Sequence, residues 1–409
     1  MKRTLQPLMA VLILLMIAST SIAQNSQLNI VTSNSILADV VSNVAGDAAS
    51  VTSTIPRGAD AHSFQPTPAD LVALADADVV FINGALLEEG LLEAIENAGG
   101  DANVVTASSC VQILALGEHD HEEGDEHEVS DDHDEEHAAE SAQGDLSEIG
   151  QLCEQHYAEM AALHEAGHDH DADADHDHEE ADDHDHEEGH EEGEDHDHSH
   201  VETLGPLYSL DCGAGHDHET EAETDGHDHG VCDPHVWLEP HNVMYWTMLI
   251  RDELITLDPA NADVYTANAS AYLAELDTLA HDFINPLIAT LPEDQRILVT
   301  NHDSLGYFAA AYDFTIVQAL IAGGSTIAEP SASEVAGVID AVRENGVQAI
   351  FAETTLNDNL MRLIADETGA SVAHLYSGTL SEEDGPASTY IDYMRYNFQT
   401  VVDSLLGSE

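Results

Sequence analysis

The sequence predicts an α/β protein of two Rossmann-like lobes, each a parallel sheet flanked by helices, joined by one long rigid helix and carrying a disordered His/Asp/Glu-rich insert in the N-terminal lobe. Three observations carry that expectation. Strand and helix patterns alternate over residues 28–107 and again over 296–406, and a helical apolar repeat fills 259–291 between them. Residues 117–232 follow neither pattern and hold all but six of the 27 histidines. Alternating short apolar strands and amphipathic helices build parallel sheets covered by helices. With leader and insert set aside, about 270 residues remain, enough for two domain cores.

Residues 1–23 read as a signal peptide. Lys2 and Arg3 supply the positive start, residues 8–17 are an apolar run too short to span a bilayer, and Ser21-Ile22-Ala23 offers small residues for cleavage. The rest is then exported, to the periplasm or the extracellular face of the cytoplasmic membrane. No cysteine lies beside the cleavage point, which argues against a lipid anchor there. Loss of the leader takes the formal net charge from −73 to −75 and removes the sole lysine. Such a field repels nucleic acid and anionic membranes and concentrates cations, over a Debye length of about 8 Å in physiological salt. Outside the insert, most of this charge serves solubility.

The N-terminal lobe is expected at 24–116, with strands at 28–32, 49–55, 79–82 and 103–106 and helices at 35–44, 67–75 and 86–97. Thr67 and Pro68 cap the second helix. Ligands of such sheets bind beyond the carboxyl ends of the strands. The loop after the second strand, 56–66, holds His62 in that position. The remainder of this lobe is expected at 233–257. In Asp233-Pro234-His235-Val236-Trp237-Leu238-Glu239-Pro240, Pro234 fixes its own φ and extends Asp233, and Pro240 is expected to end regular structure, so His235 sits on a short element held at both ends. A helix follows at 241–256.

Between these pieces the insert, 117–232, carries His168-Asp169-His170, His176-Asp177-His178, His184-Asp185-His186, His196-Asp197-His198-Ser199-His200 and His227-Asp228-His229. So charged a segment cannot bury enough surface to offset its ordering entropy, and disorder is expected apart from islands near Cys153 and Tyr208. Carboxylates alone would make a solvated loop. Neutral imidazoles alternating with them make many weak, exchangeable sites for divalent transition metals, so the histidines of these runs are read as auxiliary metal-capturing groups. Cys110, Cys153, Cys212 and Cys232 lie at or inside the insert. In an exported chain they suggest disulfides, with three possible pairings.

Residues 258–291 are expected to form the linking helix, with Tyr265, Tyr272, Leu276, Leu279, Phe283 and Leu287 on one face and a length on the order of 45 Å. Pro286 is placed to kink or shorten it. The C-terminal lobe, 292–409, has strands at 297–300, 315–319, 349–353 and 371–376 and helices at 304–312, 331–345, 358–368 and 386–406. Its first strand runs into Asn301-His302-Asp303-Ser304, which puts His302 at a strand's carboxyl end. His62, His235 and His302 are therefore the expected metal ligands. Three neutral imidazoles suit Zn²⁺ at about 2.0–2.1 Å per bond, whereas Mn²⁺ favours more carboxylate oxygens. His241, His281 and His374 lack such placement and are read as structural or solvated.

Three segments resemble the ligand regions of the cluster A-I solute-binding proteins, the zinc and manganese receptors of bacterial ABC importers. They are Gly58-Ala59-Asp60-Ala61-His62-Ser63-Phe64-Gln65-Pro66-Thr67-Pro68, Asp233-Pro234-His235-Val236-Trp237-Leu238 and Asn301-His302-Asp303-Ser304-Leu305-Gly306-Tyr307-Phe308. Glu329-Pro330-Ser331-Ala332, Ile350-Phe351-Ala352-Glu353 and Met394-Arg395-Tyr396-Asn397 are similar to that family's second lobe. The resemblance covers the chain outside leader and insert. It implies a metal held between two lobes and passed to the membrane permease and ATPase of an ABC importer. An acidic histidine-rich loop between the first two ligands implies the zinc branch. Many members carry an acid as fourth ligand where this chain has Gly378, which cannot ligate. Water, a group from the insert, Asp384 or Glu353 are the candidates for the fourth position.

The expected function is thus a monomeric receptor that captures Zn²⁺ outside the cytoplasm, its insert gathering the ion for the three histidines. Binding needs unprotonated imidazoles, so affinity should fall below about pH 6.5. An extracellular metal buffer or adhesin without a transport role is one alternative. A zinc hydrolase is another, since three histidines plus water also make a hydrolytic site. Against it stands the absence of a clear general base near the triad, so the chain is not expected to be an enzyme.

Overall fold

The structure is a computed structural model. It describes residues 27–116 except 89, 92–93 and 96–102, then 148–167, 203–212 except 211, and 232–407 except 322–325 and 327–329. The expected signal peptide and the histidine runs between 168 and 229 lie outside the described residues.

The first sheet consists of β1 (Leu28–Thr32), β2 (Ala49–Ser53), β3 (Val79–Ile82) and β4 (Asn103–Thr106), all parallel, in the order β2-β1-β3-β4. Its central strands are apolar on both faces, with Ile30, Val31, Val79, Val80 and Phe81 buried, as a sheet covered on two sides requires. α1 (Ser35–Ala45) begins where the Asn34 side chain accepts the Leu37 amide. α2 (Pro68–Ala75) opens on the capping box of Thr67 and Asp70, with Pro68 in the first turn where its missing amide costs nothing. The helix expected from 86 does not begin there. Ala85 and Leu86 have φ of 51° and 62°, and the buried Glu88 carboxylate accepts the Asn83 and Gly84 amides at 2.6 and 3.2 Å. Left-handed residues cannot propagate a right-handed helix, so this stretch is a carboxylate-capped turn.

β5 (Gln112–Leu114) pairs antiparallel with β6 (Thr203–Pro206), and Ala115 bridges Cys232, so the chain leaves and re-enters the lobe at one place. α3 (Glu148–Gly167) and β6 are the two islands expected inside the insert. Of the three possible pairings the structure has Cys110–Cys153 and Cys212–Cys232. α3 is further tied to α4 (Pro240–Leu257): buried His156 lies 2.8 Å from Asp252, and Arg251 donates to both oxygens of Glu159 at 2.7 and 3.0 Å. Pro240 opens α4 instead of ending regular structure. A first-turn proline has no amide to lose, and the Glu239 side chain accepts the Asn242 amide just before it.

The linking segment is α5 (Ala262–Thr278), a π-helical turn at Leu279–Ile284, and α6 (Asn285–Ile288). It is therefore not one regular helix. Pro286 has no amide, and its ring crowds the carbonyl four residues back; the widened turn before it accommodates both without breaking the axis. Tyr265, Tyr272, Leu276 and Leu279 face inward as the spacing predicts.

The second lobe repeats the topology of the first. β7 (Ile297–His302), β8 (Thr315–Ile321), β9 (Ala349–Glu353) and β10 (Ser371–Leu375) lie parallel in the order β10-β9-β7-β8. They are covered by α7 (Gly306–Tyr312), α8 (Ala332–Glu344), α9 (Asn359–Thr368) and α10 (Tyr390–Leu405). α10 starts at 390 and not at 386, because the Ser381 amide closes a turn onto the Ala387 carbonyl at 2.9 Å and Thr389 caps the helix that follows. The lobes meet through directed bonds. Arg57 donates to the Ser381 and Ser388 carbonyls, each at 2.8 Å, the Asp39 carboxylate accepts the Tyr390 amide at 2.9 Å, and Trp237 Nε1 donates to the Ser377 carbonyl at 2.8 Å.

Candidate metal centre

In each sheet the strand order reverses beside the lobe's first strand, and the crevice at that point, beyond the carboxyl ends, is where such sheets bind ligands. β7 and β9 flank that point in the second lobe and end on His302 and Glu353. From the first lobe the 56–66 loop brings His62, and the segment leaving the Ala115–Cys232 bridge brings His235, which precedes a single 3₁₀ turn at Val236–Leu238. The three histidines predicted from the sequence thus come together. Their ring centroids stand 5.1–5.3 Å apart, and one ligand atom from each lies within 4.8 Å of the others. All three are buried, at 6%, 1% and 1% exposure for His62, His235 and His302.

The nitrogens that face inward are identified by what holds the opposite side of each ring. His235 Nδ1 donates to Asp233 Oδ1 at 2.8 Å, and His302 Nδ1 donates to Glu353 Oε1 at 2.9 Å. A ring whose Nδ1 carries the proton presents Nε2 as a lone pair, the arrangement found behind most metal-bound histidines. His235 Nε2 lies 3.2 Å from His62 Nε2, and His302 Nε2 is buried without a hydrogen-bond partner. Tetrahedral coordination with bonds of about 2.0–2.1 Å separates ligand nitrogens by about 3.3 Å, so little movement is needed to close this trio on an ion.

Two orienting residues escaped the sequence reading, although a signal was present. The pattern Asp-x-His occurs at both first-lobe ligands. Asp60 Oδ1 accepts the His62 amide at 3.1 Å, and Asp233 Oδ1 accepts the His235 amide at 2.9 Å, so each aspartate fixes the backbone of the histidine two residues on. Asp233 also holds the His235 ring. Glu353 accepts from Ser304 Oγ at 2.9 Å as well as from His302, so it positions the His302 ring. Asp384 is exposed, and a side chain at Gly378 would meet nothing within 4 Å. Among the described residues no carboxylate joins the three histidines as a fourth ligand atom.

Burial sets the proton affinities. It drives His62 and His235 down to about 3, with the neighbouring imidazoles adding to the effect. Burial opposes charge on His302 too, but the Glu353 carboxylate outweighs it and the ring's pKa is raised. Glu353 is itself pushed up by burial and held down to about 2 by His302. Asp233 is pushed up to about 7 by burial. His62 and His235 are therefore neutral at physiological pH, while His302 holds a proton more tightly than a free imidazole.

Of the remaining framework histidines, His374 lies 2.8 Å from Asp358 at the surface, His241 lies 2.5 Å from Glu239, and His281 lies 3.1 Å from Asp277.

Comparison with known proteins gives concordant matches. The family described as the periplasmic zinc-uptake complex component A matches residues 30–404. The manganese-binding lipoprotein MntA of Halalkalibacterium halodurans is 28% identical over 379 residues, covering 92% of this chain and 88% of its own. The iron-binding protein YfeA of Yersinia pestis is 25% identical, covering 94% and 91%. Among solved structures, the periplasmic zinc-binding protein TroA of Treponema pallidum superposes with a TM-score of 0.61 at 19% identity, covering 92% of this chain and 98% of that one. The Mn-bound periplasmic metal-binding protein of Candidatus Liberibacter asiaticus gives 0.59 at 22% identity, with the same coverage. These likenesses show the two-lobed α/β fold.

Proposed function

The chain belongs to the zinc-uptake complex component A family, periplasmic metal-binding receptors for ABC-type uptake and not enzymes, and from that premise we propose that it captures Zn²⁺ on His62, His235 and His302 and delivers it to the permease and ATPase of an ABC importer. The supporting observation is the convergence of three buried imidazoles, two of them neutral far below physiological pH, with no carboxylate among the ligand atoms that the described residues bring together. A nitrogen-only set suits Zn²⁺, while Mn²⁺ prefers oxygen. Homologues named for manganese and iron make the choice of metal the point to test.

The insert at 117–232 fits a gathering role. Weak sites tethered in the same chain hold captured ion at an effective concentration on the order of millimolar near the buried site. The linking segment and the hydrogen bonds across the lobe interface restrict opening for entry and release to a modest movement. The metal question is answered by titrating the exported chain with each ion in competition with a chelator. Zn²⁺ should bind at least a hundredfold tighter than Mn²⁺. Equal affinities, or a preference for Mn²⁺, would remove the zinc assignment and leave a receptor for a different ion.

A further inference from the structure

Three other histidines, from three separate elements, come together at the root of the insert. His164 lies in the last turn of α3, His241 is the second residue of α4, and His281 lies in the π-helical turn of the linking segment. Their ring centroids form a triangle of 5.2, 5.9 and 6.1 Å, only slightly wider than the 5.1–5.3 Å of the buried trio. Nothing about apolar packing gathers three imidazoles in so acidic a chain.

The protons are arranged as at the buried centre. His241 Nδ1 donates to Glu239 Oε1 at 2.5 Å, which leaves Nε2 as the lone pair; that nitrogen is enclosed and has no hydrogen-bond partner. His281 Nδ1 faces the Asp277 carbonyl at 3.2 Å and the Asp277 carboxylate at 3.1 Å, so its Nε2 is likewise the free pair. Carboxylates behind two of three imidazoles orient the rings, raise their basicity and offset the charge of a dication. The third ring is held in place from elsewhere, because α3 is fixed to the lobe by Cys110–Cys153, by Arg251 with Glu159 and by His156 with Asp252.

We propose that His164, His241 and His281 form a second site for a divalent transition ion, a waypoint between the histidine-rich tract and the buried centre. Zn²⁺ as the ion rests on the functional reading above; the trio itself does not. Its ligand atoms stand farther apart than those of the buried trio, so side chains must turn to close on the ion, and binding is weaker there. His164 precedes the His168-Asp169-His170 run by four residues, so trio and run adjoin in the sequence.

The test uses the full exported chain and Zn²⁺ alone. Anomalous diffraction at the zinc edge, with zinc in excess of what fills the buried centre, should place a second peak between the three rings. A double variant, H241A with H281A, should lose that peak, and one zinc equivalent should bind ten- to a hundredfold more weakly, while the tightest equivalent is unchanged. H281A alone, at a half-exposed surface position, gives the same comparison if the double variant folds poorly. Absence of a peak at the trio, or unaltered binding in the variants, overturns the proposal. A peak at the trio with none at the buried centre would uphold the second site and instead contradict the functional reading.

Discussion

Replacing His62 with alanine is expected to weaken zinc binding about a hundredfold, and replacing His62, His235 and His302 together is expected to abolish the tight site. Zinc held by protein ligands at neutral pH has apparent binding free energies of about 10–16 kcal/mol, or about 3 kcal/mol per ligand, and 1.4 kcal/mol is a factor of ten. His62 is the cleanest single test because it sits on a loop between strand and helix, whereas His235 and His302 are packed at 1% exposure and their loss also leaves a cavity and an unpaired Asp233 or Glu353. Competition with a zinc-chelating dye measures the change, and melting temperature without metal checks that the fold is intact. Tight binding that survives the triple substitution would move the function to the insert.

Zinc affinity is also expected to fall with acidity along a shallow slope. Three ordinary imidazoles would each take up a proton below pH 6.5 and give a thousandfold loss per pH unit. Here His62 and His235 protonate only near 3, so they do not compete with metal above about pH 4. His302 does compete: its pKa is raised, so affinity is full above that value and drops as pH falls through it, from above 6.5 downward. Asp233, pushed up to about 7, adds a second proton, since a metal on His235 favours the ionised carboxylate. The slope should lie between one and two protons, a ten- to hundredfold loss per pH unit. In E353Q the group that raises His302 is gone. Affinity at neutral pH should drop about ten- to a hundredfold, as for other lost orienting partners, and the pH profile should flatten because His302 no longer holds its proton. A variant that loses affinity with an unchanged profile would mean that Glu353 acts on structure alone.

The lobes were legible because their strands are short apolar runs between well-signalled helices. Asn34, Thr67 with Asp70, and Ser331 with Glu334 each cap a helix within a residue of the expected start. The errors fall where one residue type serves two opposite ends. Pro240 was expected to stop structure and instead starts α4, since a proline is equally at home at a helix's first position. The turn at Ala85 and Leu86 was hidden because their left-handed φ is imposed by Glu88, a buried carboxylate whose tertiary role no local pattern shows.

At the candidate site the convergence of three histidines was legible from position, each beyond a strand's carboxyl end or on a segment pinned by proline. The groups behind them were harder to see. Glu353 meets His302 only because β7 and β9 are neighbours, a pairing that spans 51 residues of sequence. The trio of His164, His241 and His281 is hidden for the same reason: His241 and His281 read singly as structural or solvated, His164 falls inside the insert, and only packing of three separate elements brings them together.

Zinc-edge X-ray absorption of the full chain with one equivalent of zinc, beside the same chain with His62, His235 and His302 all changed to alanine, tests the central claim most directly. The account predicts three imidazole nitrogens at about 2.0–2.1 Å and one further light atom in the unaltered chain, and loss of that pattern in the variant. Identical spectra from the two, or a first shell dominated by carboxylate oxygens, would contradict it.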